Sequence, residues 1–108
     1  MKATLGLVIS AVALLTAGAA SADQWAVYIP PAPFVKPPPP FSTNTWIFVE
    51  NVDDKDSLTE DNGEACEDEG MTLHYRYWNS GDHDAAGRAF QAMCVSRTTG
   101  TVMPSSKP

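Results

Sequence analysis

Apolar and polar positions alternate with a period of two in three stretches of the chain, and each predicts a β-strand. In "QWAVYI" (residues 24–29), Trp25, Val27 and Ile29 face away from Ala26 and Tyr28, and Pro30 stops the run. In "NTWIFVENV" (residues 44–52), Trp46, Phe48 and Glu50 point one way and Ile47, Val49 and Asn51 the other. Apolar side chains on both sides predict burial on both faces near its middle. In "MTLHYRYW" (residues 71–78), Met71, Leu73, Tyr75 and Tyr77 share one face, opposite Thr72, His74, Arg76 and Trp78. "TTGTVMP" (residues 98–104) reads as a turn and a short final strand, and "SSKP" as a frayed tail.

Between these runs the pattern is mixed. "DAAGRAFQAMCVSR" (residues 84–97) places Ala86, Ala89, Phe90, Met93 and Cys94 at helical spacing behind a capping Asp84. The same residues also allow a strand carrying Phe90, Ala92 and Cys94 together, and Gly87 would interrupt a helix. "NSGDHD" (residues 79–84) is a turn by composition. Ser57 as cap with Glu60 three residues on also allows a short helix over "SLTEDNGEACEDE", weakened by Gly63 and tethered by Cys66.

The stretch "IPPAPFVKPPPPF" (residues 29–41) holds seven of the nine prolines. Missing amide donors and fixed φ keep it out of a sheet interior and favour polyproline II, about 35 Å if fully extended. Pro30, Pro33, Pro37 and Pro40 satisfy PxxP twice beside Lys36. Phe34, Val35 and Phe41 interleave apolar side chains, which favours a strap lying across the sheet edge over a flexible arm or a docking motif.

Residues 1–22 resemble an export signal: Lys2, the uncharged apolar run "LGLVISAVALLTA", then Ala20-Ser21-Ala22 as a cleavage pattern. The run is short for a membrane span, and Asp23 is the expected mature start. What remains suffices for one small domain, which at that size benefits from a covalent staple. Cys66 and Cys94 are the only cysteines, so an oxidising compartment predicts their pairing. The bridge would close a loop of about 29 residues, worth on the order of 3–4 kcal/mol in the loop-entropy picture.

Charge then narrows the partners. The chain has 7 Lys+Arg against 13 Asp+Glu, a net charge of −6. That balance disfavours nucleic acid and anionic membranes and favours a basic protein, or simple solubility. Most of the excess lies between Glu50 and Gly70, read as a solvated surface loop. Its candidate partner-binding residues are Asp53, Asp54, Asp56, Glu60, Asp61, Glu64, Glu67, Asp68 and Glu69. Asp54 and Asp56 match the first EF-hand positions, but Thr59 and Ala65 stand where glycine and glutamate are needed. Asp82, His83 and Asp84 are the metal candidates, against the plainer reading of a polar turn whose aspartates cap the next segment. There is no GxSxG, no HExxH and no free Cys–His pair, so no enzyme and no cofactor are expected. Trp46 with Phe48, and Tyr75 with Tyr77, read as sheet packing rather than sugar platforms.

The expectation is therefore a small disulfide-stapled α+β domain with a three- to four-stranded antiparallel sheet, one short helix and a Pro-rich N-terminal strap. Its organisation is signal 1–22, strand and strap 23–43, domain 44–103 and disordered tail 104–108. Periplasmic or secreted, it would act as an acidic protein-binding module, an inhibitor or immunity-type cap of a basic partner. The alternative is a cation-binding or envelope-stress accessory protein.

Overall fold

The computed structural model describes residues 24–54 and 63–105. The expected signal and cleavage site, Ser57 and residues 106–108 lie outside them. Among the described residues the fold is α+β, with strands β1 (Gln24–Ile29), β2 (Ile47–Asp53), β3 (Met93–Ser96) and β4 (Val102–Pro104). Two helices, α1 (Glu64–Asn79) and α2 (His83–Ala89), lie between β2 and β3 in the chain. The strands form one antiparallel sheet in the order β2-β1-β3-β4. Among the described residues no helix is long and apolar enough to cross a membrane.

The first alternating run becomes a central strand. β1 pairs with β2 on one side and β3 on the other, and its Trp25, Val27 and Ile29 are buried. These three residues form the core with Cys66 and Leu73 of α1, Ala89 of α2, Ala92, and Cys94 of β3. Cys66 and Cys94 are bonded, with their Cα atoms 6.1 Å apart, so the staple fastens α1 to the sheet. Such a bond fits an oxidising compartment.

The strand expected over residues 71–78 is instead the C-terminal half of α1. Met71 and Tyr75, which the alternation would bury, are exposed. The buried positions are Cys66, Glu69, Gly70 and Leu73, at helical spacing. Gly70 allows close approach: a Cβ there would lie 3.2 Å from the Ala89 carbonyl oxygen of α2. The part of the acidic stretch after Gly63 is therefore helix rather than loop, and it starts well beyond Ser57.

Residues 84–97 divide between the two readings. α2 begins at His83 behind an Asp82 cap, not Asp84, and ends before Phe90; the chain then reaches β3 at Met93. Among the described residues the helices thus number two, not one. β2 also departs from expectation: it is an edge strand, and Ile47 and Phe48 are exposed instead of buried. The expected tail starts too early. Pro104 ends β4, and Ser105 is fully buried. The Ser105 hydroxyl donates to the Cys66 carbonyl and accepts from the Gly70 amide, spanning two groups that an unbroken α-helix joins directly. Its own amide donates to the Ala92 carbonyl at 2.8 Å.

Asp54, just past β2, is 4% exposed and supplies the cap that Gly63 lacks. Its carboxylate accepts from the Gly63 amide at 3.0 Å, the Ala65 amide at 3.3 Å and the Trp25 indole Nε1 at 3.0 Å. Replacing Asp54 with alanine would leave two buried donors and one half-buried donor without an acceptor. We expect Asp54→Ala to destabilise the chain by about 2–4 kcal/mol in denaturant unfolding. Asp53→Ala, at an exposed neighbour, should change stability by no more than about 0.5 kcal/mol.

Candidate functional site

The nine acidic candidates separate by the element that carries them. Asp53 is exposed at the end of β2 and accepts from Gln24 Nε2 at 3.1 Å. Glu64 and Asp68 are exposed and Glu67 is half-buried, all on the first turns of α1. Carboxylates at a helix N-terminus are favoured by the helix dipole. Asp56, Glu60 and Asp61 lie outside the described residues. Two candidates are corrected: Asp54 and Glu69 are buried, so neither offers a surface to a partner. Asp54 has its charge compensated by three donors, and Glu69 is turned inward by the helical step that leaves Asp68 outside. By holding Gly63 and Ala65, Asp54 also brings Asp53 and the first turns of α1 to one corner.

Glu69 meets Glu50 of β2. Arg76 donates to Glu50 with Nη1 at 2.9 Å. Burial, followed by the hydrogen bond to Glu50, pushes the Glu69 carboxyl up to about 8. The same hydrogen bond, followed by Arg76, holds Glu50 below the usual carboxylate range, and Glu50 in turn raises Arg76.

Asp82, His83 and Asp84 do not converge on one point. Asp82 accepts from the Ala85 amide at 3.0 Å as the cap of α2. His83 stacks on Trp78 with ring centres 3.9 Å apart. Asp84 accepts from the Phe34 amide at 2.8 Å and from Arg88 Nε at 2.7 Å, which together lower its titration, the amide most. Among the described residues no three His, Cys, Asp or Glu side chains gather as a metal would require.

His74 lies in a second arrangement that strand reasoning missed. Its Nδ1 donates to the Ala86 carbonyl at 2.8 Å, because a carbonyl can only accept. Its ring stacks on Phe90 at 4.0 Å and on Trp78 at 6.0 Å. Phe90, His74, Trp78 and His83 thus form a ladder of rings across α1 and α2, edged by Tyr75 at 5.0 Å from His74. Tyr75 and Trp78 are 56% and 50% exposed. Tyr75 and Tyr77 do not share a face, because two residues on a helix are about 200° apart; Tyr77 packs on the core. The recoverable signal was the i, i+4 spacing of His74 and Trp78.

The Pro-rich residues pass alongside α2. They do not form one extended run: the chain bends at residues 32–33 and 36–37, and the peptide bonds before Pro33 and Pro37 are cis. The Pro30 carbonyl accepts from Arg88 Nη1 at 3.0 Å, and that of Val35 from Gln91 Nε2 at 2.7 Å. Phe34, Lys36, Gly87, Phe90 and Gln91 line a groove of about 210 Å³. At the far end, Phe41 packs edge-on against Tyr28 at 5.7 Å and Trp46 at 5.1 Å, and Tyr28 meets Phe48 at 5.7 Å.

Compared with protein-family models, curated proteins and solved structures, the chain matches none. Its surfaces alone therefore bear on function.

Asp84 links α2 to Phe34. In Asp84→Ala, amide exchange at Phe34 should accelerate several-fold while amides of β1 stay protected, as NMR-detected exchange would show.

Proposed function

We propose that the protein is an exported, non-enzymatic binding module that docks a basic protein partner, in the manner of an inhibitor or immunity-type cap. The observation that carries this reading is the acidic corner where β2 ends and α1 begins. Asp53 and Glu64 are exposed there, with Glu67 and Asp68 one turn further along the helix. Arg76 pairs with Glu50 and Arg88 with Asp84. A surplus of negative charge raises the encounter rate with a basic surface and weakens with salt.

The other parts of the reading rest on placement. His74 and His83 are held in ring stacks, and Asp82 and Asp84 are engaged in capping and bridging, which supports a binding rather than a catalytic role. The disulfide and the signal-like first 22 residues support a periplasmic or secreted site of action. The Pro-rich segment serves as a strap in this reading, supported by its hydrogen bonds to Asp84, Arg88 and Gln91.

The test is capture of a basic partner by immobilised protein at low salt, followed by affinity measurement with that partner. Neutralising Asp53, Glu64, Glu67 and Asp68 together should weaken binding by on the order of tenfold or more, chiefly through slower association, and should flatten its salt dependence. Asp54 and Glu69 are left untouched because they are buried. Unchanged affinity and salt dependence in the fourfold variant would refute this reading.

A further inference from the structure

The interface between α1 and the edge strand β2 contains a buried carboxyl that neither capping nor surface charge explains. Glu69 is 7% exposed, and no donor reaches its Oε2. Among the described residues, the charged groups acting on it are Glu50 from β2 and Arg76 from its own helix, with Tyr77 acting in turn on Arg76. Glu69 and Arg76 lie two turns apart on one face of α1 and Arg76 reaches Glu50, so the two carboxyls act on each other across this interface, and two carboxylates cannot hydrogen-bond to one another without a proton. Arg76 is bonded to Glu50, which keeps Glu50 ionised. The proton therefore resides on Glu69, whose buried position disfavours charge, and Glu69 donates to Glu50. The orphaned oxygen is explained once Glu69 is neutral.

We propose that Glu50, Glu69 and Arg76 form a proton-locked clasp between β2 and α1, closed while the two carboxyls share a proton and loosened when an alkaline medium removes it. Loss of the proton leaves two negative charges at the interface, one of them buried, with a single guanidinium that is bonded to Glu50. The direction of the pH effect comes from linkage. Glu69 gives up its proton near its ordinary 4.5 when unfolded and only near about 8 when folded. Between those values the folded chain binds the extra proton, so its stability falls as pH rises, by up to tenfold in the unfolding constant per pH unit. Above that window the loss levels off. Glu50, depressed when folded, acts oppositely: its contribution is present above its ordinary 4.5 and fades as pH falls through its folded value. The clasp is thus most secure in mildly acidic medium.

The experiment is denaturant unfolding of the disulfide-bonded protein from pH 5 to pH 9, for the wild type and for Glu69→Gln, whose amide does not titrate. The ratio of wild-type to variant unfolding constants should rise at least tenfold between pH 5 and pH 8. A ratio that stays flat overturns the proposal. A second measurement removes dependence on the variant's folding: the carboxyl ¹³C shift of Glu69 in the wild-type protein. A midpoint well above that of the exposed glutamates supports the clasp, and a midpoint among them overturns it.

Discussion

The carboxylate of Asp54 is the contact on which the rest of the structure depends. It lies where three elements meet, accepting from the Trp25 indole of β1 and from the first amides of α1 while its backbone leaves β2. A buried charge is tolerated only when such donors surround it. With those donors in place, the helix starts at a fixed position relative to the sheet. Cys66 comes within the first turn and faces Cys94. Gly63 takes a left-handed φ of 97° at this junction, and a Cβ there would come within 2.7 Å of the Met103 sulfur. The backbone conformation therefore demands glycine, and the flexible Met103 side chain of β4 closes over the same point.

Much of the sheet was legible in the chain, because β1 and β2 carry the alternation that a pleated strand requires. The helix α1 was not. Its residues from Met71 to Tyr77 alternate as a strand would, while the face it buries contains Cys66, Glu69 and Gly70 along with Leu73. A stripe made of sulfur, a carboxyl and a bare backbone carries little hydropathy signal. Its burial is secured by partners distant in sequence: the bridge to Cys94 and the Ser105 hydroxyl. The segment after Asp84 was ambiguous for a different reason. It contains a short helix and a short strand, and a single periodicity cannot describe both.

The acidic stretch shows why composition identified a charge but not its uses. Asp53 and Asp54 are adjacent and chemically equal, yet one meets solvent and the other anchors a helix. Asp68 and Glu69 are likewise adjacent, and a helical step separates an exposed carboxylate from a buried one that retains a proton. Three kinds of carboxyl thus arise from one run: solvated, capping and proton-holding. Only the first kind can address a partner directly. The same division explains the histidines, whose rings are spent on stacking, and Asp82 and Asp84, which are oriented by backbone amides rather than toward a common ion.

Ser105 gives the fold a temporal property. Its hydroxyl spans Cys66 and Gly70, its amide reaches Ala92, and the first strand of the described chain lies between partners from residues 47–53 and 93–96. The contacts that close the sheet on its β3 side therefore join an early residue to a late one, whereas β1–β2 and α1–α2 pair neighbours in the chain. A chain emerging amino end first, from a ribosome or through a narrow pore, can pair β1 with β2 and α1 with α2, but it cannot form the disulfide or complete the sheet until residues 93–105 are free. Completion of the core therefore waits on the last strands, an order that the arrangement of the sheet itself imposes.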